Sequence, residues 1–131
     1  MTTYSWQNAV SGNWGTATDW QPTGPVNGAS ADAVIGVAGT YVVNIASNQS
    51  FLVDSLTFGP GAGGTLAVAG TLTLGGTLAE MTINVGTVNL TGTIAGGTVN
   101  LDGGVLNDTG GAITAPSAWT AARWTFPAAR R

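Results

Sequence analysis

A short phrase of alternating polar and apolar residues recurs along this chain and constrains its fold more than any other feature. The clearest copies are Ser55–Phe58, Thr71–Leu74, Thr87–Leu90 and Thr98–Leu101. An alternation with a period of two predicts β-strands that bury one face. Because glycine-rich turns separate the copies, we expect an all-β fold in which the chain coils into a short parallel β-solenoid, or β-helix.

The apolar residues of this phrase predict how the strands stack. Leu56, Leu72 and Val88 are equally spaced in the sequence, and Val99 follows after a shorter interval. We therefore expect these strands to lie one above the other, with their apolar side chains forming an inner ladder. The same geometry predicts an outer threonine ladder, which consists of Thr57, Thr71, Thr73, Thr87 and Thr98.

We expect a single domain of 131 residues with three zones. Residues 1–31 combine Trp6, Trp14 and Trp20 with scattered glycine and proline, which is typical of a loop-rich N-terminal cap. Residues 32–114 form the solenoid coils, in which glycine pairs are expected at corners that need positive φ or close backbone approach. The strands predicted there are 33–37, 40–45, 51–58, 65–68, 71–74, 82–85, 87–90, 98–101 and 105–106.

Residues 115–131 break the repeated pattern and are predicted to form a short C-terminal cap. They contain the large side chains Trp119, Trp124 and Phe126. A short helix that begins at Pro116 or Ser117 is one interpretation of this segment.

The composition excludes several classes of function. Charged residues make up 7% of the chain, there is no lysine, and the net charge is -3, so the basic surface that binds nucleic acid is missing. Cysteine and histidine are absent, which removes disulfides, thiolate nucleophiles, zinc sites built on these residues and imidazole bases. No apolar run approaches the ~20 residues of a membrane helix, and the first residues do not resemble a signal peptide. We expect no cofactor, no nucleic-acid partner and no membrane insertion.

The acidic residues do not predict an active site. None of them forms a close sequence pair of the kind that tuned acid and base partners would need, so we expect no enzymatic activity. Asp102 and Asp108 lie in turn contexts, where a carboxylate commonly caps backbone N–H groups. Calcium binding by these two residues is the alternative, although the nonapeptide calcium repeat is missing.

The order of motifs in the first third of the chain resembles a known group of proteins. The residues concerned are Trp6-Gln7-Asn8, Ser11-Gly12-Asn13-Trp14, Trp20, Gly24-Pro25, Asp32-Ala33-Val34-Ile35 and Tyr41-Val42-Val43, followed by the strand phrase and glycine-threonine-leucine repeats. Together they resemble the amino-terminal part of large bacterial surface proteins, namely the autotransporter-passenger-like and haemagglutinin-like proteins with parallel β-helix repeats. The resemblance covers residues 5–106 and implies a right-handed β-solenoid at the cell surface or outside the cell, with a structural or adhesive role. It supplies no catalytic residue, and this chain is far shorter than those proteins.

The tryptophans permit two interpretations. They either plug the open ends of the solenoid, where bulky side chains cover a hydrophobic cross-section, or present flat indole faces to sugar rings. The first interpretation predicts a structural protein of the bacterial surface or matrix whose copies assemble head to tail into filaments, since few charges oppose close packing. The second predicts an adhesin or carbohydrate-binding module with glycans as partners. A third hypothesis is that the outer threonines bind ice, although threonine is also simply a good residue on a solvated strand face.

Overall fold

The computed structural model describes residues 2–59, 63–75 and 79–113, together with the backbone of 124–125. It confirms an all-β parallel solenoid. One 3₁₀ helix, Ala17–Asp19, lies near the N-terminus. The strands are β1 (Thr2–Trp6), β2 (Gly12–Asn13), β3 (Trp20–Gln21), β4 (Ala31–Ile35), β5 (Val42–Ile45), β6 (Ser50–Val53), β7 (Ser55–Phe58), β8 (Thr65–Val68), β9 (Thr71–Leu74), β10 (Glu80–Ile83), β11 (Thr87–Leu90), β12 (Thr93–Ala95), β13 (Thr98–Leu101), β14 (Val105–Asp108), β15 (Ala112–Ile113) and β16 (Trp124–Thr125).

These strands form three sheets, each of which runs the length of the solenoid. Sheet A has the order β3-β1-β4-β7-β10-β13, sheet B has β2-β5-β8-β11-β14-β16, and sheet C has β6-β9-β12-β15. From β4 to β15 the chain visits A, B and C in turn, so each circuit adds one strand to every sheet. All strand pairs are parallel except β1 with β3, which is antiparallel.

Alternation within each strand determines which side chains enter the core. Leu72 and Leu74 are buried, while Thr71 and Thr73 lie half-buried on the outer surface, which confirms the predicted direction of this strand. Burying a Leu, Ile, Val or Phe side chain contributes about 1.5–3 kcal/mol each. Successive circuits stack such residues into continuous inner columns, so the solenoid has one uninterrupted hydrophobic core.

The predicted stacking of the four phrases is wrong, because they lie on three different sheets. Leu56 neighbours Ala33 and Met81 in sheet A, whereas Leu72 neighbours residues of β6 and β12 in sheet C. Val88 belongs to sheet B. The equal spacing of Leu56, Leu72 and Val88 in the sequence therefore separates strands of different sheets. A full circuit of the solenoid contains three strands, whereas the prediction assumed one.

Some strand boundaries also differ from the prediction. The segment 51–58 forms two strands, β6 and β7, because the chain bends at Asp54 and passes from sheet C to sheet A. The strand predicted at 82–85 begins earlier, at Glu80, and ends at Ile83. An uninterrupted alternating pattern can therefore span two strands and the corner between them, provided that the apolar side chains of both strands face the core.

Glycine occupies corners for two distinct reasons. Gly96 and Gly97 connect sheet C to sheet A with φ of 74° and 62°, as predicted for this pair. Gly92 lies between sheets B and C, where a β-carbon would collide with the carbonyl oxygens of Gly70 and Ala69 in the circuit below. Close stacking of backbone on backbone thus excludes larger residues at this corner.

Candidate functional site at the two ends of the solenoid

Three tryptophans form the core of the N-terminal end. Trp14 and Trp20 are fully buried and Trp6 is 2% exposed. The ring of Trp20 lies edge-on to both others, with centroid distances of 4.9 Å to Trp14 and 5.1 Å to Trp6. Edge-to-face geometry of this kind adds about 0.5–1.5 kcal/mol per pair beyond the area buried. Phe51 extends the cluster into sheet C, at 6.0 Å from Trp14.

Each indole N–H of this cluster donates a hydrogen bond to a backbone carbonyl. Trp6 donates to Val10 at 3.1 Å, Trp14 to Val26 at 2.9 Å, and Trp20 to Trp14 at 2.8 Å. The loops that lie over the end of the solenoid are therefore tied to the rings beneath them. Because the rings are buried, they present no flat face on which a sugar could stack, and their arrangement is that of a plug.

The backbone edges at the N-terminal end are partly occupied. In sheet A, β3 pairs with β1 only at Ser5 and Trp6, so within the described residues the outer edge of Thr2–Tyr4 has no paired strand. In sheet C the outermost strand is β6, and the N–H of Leu52 donates to Asn27 Oδ1 at 2.9 Å. The carbonyl of Leu52 accepts from the N–H of Gly28 at 2.6 Å. A loop thus replaces the missing strand of sheet C.

The C-terminal end is different. Among the described residues, no strand pairs with the outer edge of β13 in sheet A or of β15 in sheet C. Sheet B ends in β16, which pairs with β14 through Leu106 opposite Trp124 and Asn107 opposite Thr125. The proposed cap residues Trp119 and Phe126, and the predicted helix, lie outside the described residues, and only the backbone of Trp124 is described.

The outer face of sheet A carries a continuous row of polar side chains. In order from the N-terminal end, strand register aligns Thr3, Asp32, Ser55, Glu80 and Thr98. The first and last residues of the row are uncharged threonines. The two carboxylates, Asp32 and Glu80, are the neighbours of Thr3 and Thr98 in the row. Row neighbours contact each other where the geometry allows it, since the Ser55 hydroxyl donates to Asp32 Oδ1 at 2.7 Å.

The predicted outer threonines do point outward, but they do not form one array. Thr57 and Thr98 lie on sheet A, Thr71 and Thr73 on sheet C, and Thr87 on sheet B. Cross-strand neighbours of Thr73 are Leu52 and Ala95, which interrupt the hydroxyl pattern on sheet C. The ice-binding hypothesis requires one flat surface of threonines, and the prediction that these residues form such a surface is therefore wrong.

The carboxylates contact neighbouring groups within the fold. Glu80 accepts a hydrogen bond from Asn100 Nδ2 at 2.5 Å on the outside of sheet A. Asp108 occupies an inward position beside Leu90, is 1% exposed, and accepts from the N–H of Gly111 at 2.8 Å. This contact has the turn-capping geometry expected from the sequence. In the described part of the chain, no three His, Cys, Asp or Glu residues converge on a possible metal position.

Charge is divided unequally along the chain. All six acidic residues lie between Asp19 and Asp108, and all three arginines, Arg123, Arg130 and Arg131, lie near the C-terminus. On the outer faces of the sheets, acidic side chains occur on sheet A at Asp32 and Glu80. The described strands of sheets B and C present Thr, Asn, Ser, Val, Leu and Ala outward.

Comparisons with known proteins leave the fold as the main guide to function, because no family model, curated protein or solved structure matches this chain. The resemblance to bacterial surface proteins therefore stays an expectation. Within the described residues, no helix has the length and apolar character needed to cross a membrane.

Sequence reasoning missed the residues that form or close the sheet edges. β1 belongs to sheet A and is parallel to β4, although the sequence places it in a loop-rich cap. Alternation in Thr2–Trp6 is too short to distinguish a strand from a loop without its partner. The Asn27-Gly28 pair is a recognisable turn signal, but its contact with Leu52 joins positions far apart in sequence and has no local signature.

Proposed function

We propose that this protein is a non-enzymatic structural subunit that assembles end to end into filaments at the surface of a bacterium or in its extracellular matrix. The observation that carries this proposal is the state of sheet A. Its described strands leave a backbone edge unpaired at both ends, along Thr2–Tyr4 and along Thr98–Leu101. Unpaired edges are templates for pairing with another chain. Since the two edges differ, contact between them is heterologous and does not close into a dimer.

The low charge of the surface supports close association between copies. Charged residues are 7% of this chain, against roughly 25% in ordinary soluble domains. Mutual repulsion between copies is correspondingly weak. Asp32 contacts Ser55, and Glu80 contacts Asn100. Asp108 accepts a hydrogen bond from the backbone of Gly111, so contacts within the fold account for these three carboxylates. The bacterial surface location is supported by the resemblance in residues 5–106 alone.

Negative-stain electron microscopy of the purified full chain across a concentration series tests this proposal. We expect thin, unbranched filaments whose length increases with protein concentration. Sedimentation velocity on the same samples should show a broad distribution of fast species that shifts with concentration. A single monomeric species at every concentration would overturn the proposal and make glycan binding the next hypothesis to test.

A further inference from the structure

We propose that Asn27-Gly28 is a self-modification site that the closed N-terminal end keeps inactive, and that its conversion to isoaspartate opens the edge of sheet C. The site would act whether or not copies of the chain assemble into filaments. Asn27-Gly28 is the one Asn-Gly pair in the sequence. In such a pair the backbone nitrogen of the glycine attacks the side-chain amide most readily, because glycine has no side chain to obstruct the approach.

The reaction needs only water and hydroxide. Hydroxide removes the proton from the Gly28 nitrogen, which then forms a bond to Cγ of Asn27. The bond from Cγ to Nδ2 breaks, and the amide nitrogen takes a proton from water and leaves as ammonia, so that a cyclic succinimide remains. Water then opens this ring at one of its two bonds to the Gly28 nitrogen. Opening at Cγ gives aspartate, whereas opening at the main-chain carbonyl carbon gives isoaspartate, in which the backbone runs through the former side chain.

In the folded chain, hydrogen bonds to the backbone of Leu52 hold both reacting groups. The N–H of Gly28 donates to the carbonyl of Leu52 at 2.6 Å, and Oδ1 of Asn27 accepts from the N–H of Leu52 at 2.9 Å. The attack requires that the Gly28 nitrogen lose its proton and that the Asn27 side chain turn towards it. A hydrogen-bonded amide releases its proton only when the structure opens locally. The reaction is therefore limited by the population in which this loop has separated from Leu52.

Burial does not protect this site. The Asn27 side chain is exposed, and Gly28 is only half-buried. A β-carbon at Gly28 would meet nothing within 4 Å, so the surroundings of this residue are open. Water and hydroxide can thus reach the reacting groups, and protection has to come from the hydrogen bonds with Leu52.

The tryptophan plug and β4 fix the backbone on either side of the reacting bond. The indole N–H of Trp14 donates to the carbonyl of Val26 at 2.9 Å, and the Val26 side chain is fully buried. The carbonyl of Gly28 accepts from the N–H of Ala31 at 3.1 Å, where β4 begins. Isoaspartate adds one carbon atom to the backbone between these fixed points. The lengthened loop cannot keep the contacts of Val26, Gly28 and Leu52 together, so we expect it to leave the edge of β6.

Rates of modification in the folded and the denatured chain test the protection. The full chain is incubated in mildly alkaline buffer with and without guanidinium chloride, and peptide mapping by mass spectrometry measures the conversion at Asn27. We expect conversion to be at least about tenfold slower in the folded chain, because the open population is small. Gly28→Ala is the matched control, since its methyl group should slow the attack in both conditions. Equal rates with and without denaturant, or no conversion at Asn27 in the denatured chain, would overturn the proposal.

Trp14→Phe tests whether the plug keeps the site closed. The variant retains an aromatic ring but lacks the N–H that holds the carbonyl of Val26, so we expect several-fold faster conversion at Asn27 in the folded chain and an unchanged rate in denaturant. Trp6→Phe is the matched control, because the indole of Trp6 donates to Val10, outside the loop that carries Asn27. Both variants are measured well below their denaturation midpoints. Equal rates in the two folded variants would contradict the role of the plug.

The modified chain itself tests the opening of sheet C. Protein aged in denaturant is refolded, modified chains are collected by ion exchange, and their isoaspartate content is measured by enzymatic methylation. We expect light scattering to show association that increases with isoaspartate content, because the N–H and carbonyl of Leu52 then lie on an unpaired edge. Asn27→Asp, refolded in the same way, is the control for the added charge, and its carboxylate can still accept from the N–H of Leu52. Equal association of the isoaspartate chains and Asn27→Asp would overturn the opening of the edge.

Discussion

The two ends of this solenoid differ in how their outermost backbone edges are covered. At the N-terminal end, Trp6, Trp14 and Trp20 fill the cross-section, and β3 and the Asn27 side chain occupy parts of two sheet edges. At the C-terminal end, the described part of sheet A stops at β13 with its outer edge unpaired. A stacked fold must either close its last backbone edge or leave it for another chain. The buried tryptophans and the loop contacts indicate that the N-terminal end serves mainly the stability of the fold.

The burial of Trp6, Trp14 and Trp20 determines what substituting them would measure. If the three rings were exposed anchors of assembly or sugar binding, removing one would change binding and spare the fold. Since they are buried and hydrogen-bonded to the loops above them, removing one should damage the fold itself. Under the proposed function, assembly should instead depend on the unpaired backbone edges in the described part of sheet A.

The largest effect is expected for Trp14→Ala. Trp14 is fully buried, contacts Trp20 and Phe51, and donates to the carbonyl of Val26 at 2.9 Å. Truncating a buried tryptophan costs about 3–5 kcal/mol, a large share of the stability of a small domain. Chemical denaturation followed by circular dichroism measures the loss in free energy of unfolding. Val10→Ala is the matched control, because Val10 is 49% exposed and its substitution should change stability by less than about 0.5 kcal/mol. Equal stability of the two variants would contradict the plug.

The sequence predicts the strands better than it predicts their neighbours. Direction and burial follow from alternation, as for Leu72 and Thr73, because the pleat alone decides which side faces the core. Which strand lies above which depends on how many strands make one circuit. The phrase at Thr98–Leu101 in sheet A cannot report this number, since the identical sequence Thr-Val-Asn-Leu forms the strand Thr87–Leu90 in sheet B.

The candidate site is less predictable for the same reason. Trp6, Trp14 and Trp20 are recognisable as large anchors, but their burial depends on loops that close over them from distant positions. The edges of sheet A are defined only by what fails to pair with them among the described residues. A free edge has no sequence pattern of its own, since Thr2–Tyr4 and Thr98–Leu101 look like any other strand.

Gly92→Ala should destabilise the circuits between the two ends by about 1–3 kcal/mol. The added methyl would collide with the Gly70 and Ala69 carbonyls, and neither of these backbone groups can move without shifting a stacked circuit. Gly28→Ala is the matched control at the N-terminal end, where a β-carbon meets nothing within 4 Å. The free energy of unfolding of this control variant should equal that of the wild type or exceed it by up to about 1 kcal/mol. Thermal unfolding of the two variants measures the contrast, and similar melting temperatures would show that the corners are not tightly stacked.

Asn27→Ala sharpens the comparison by reopening an edge that the N-terminal end has closed. The substitution removes the acceptor for the Leu52 N–H, and such a hydrogen bond contributes about 1 kcal/mol. We expect this loss of stability together with greater concentration-dependent association, because β6 would expose an unpaired donor. Asn48→Ala is the control, since Asn48 is exposed in the next corner. Light scattering at matched concentrations measures association. A stability loss without added association would indicate that sheet C takes no part in contacts between copies.

The smallest effect is a pH dependence in the first circuit, next to the N-terminal end. Burial raises the pKa of Tyr41 above its ordinary value of 10.0, and its hydroxyl donates to the carbonyl of Val37 at 2.6 Å. The folded chain therefore holds this proton more tightly than the unfolded chain does. The stabilisation contributed by the protonated Tyr41 hydroxyl is complete below pH 10. It is lost as the pH rises through the pKa of Tyr41 in the folded chain, because Tyr41 ionises at lower pH in the unfolded chain. Tyr41→Phe should lower stability near neutral pH by about 1 kcal/mol and make the decline above pH 10 shallower than in the wild type. Denaturant midpoints at pH 8 and pH 11 measure both effects, and an unchanged alkaline slope in the variant would assign the decline to another group.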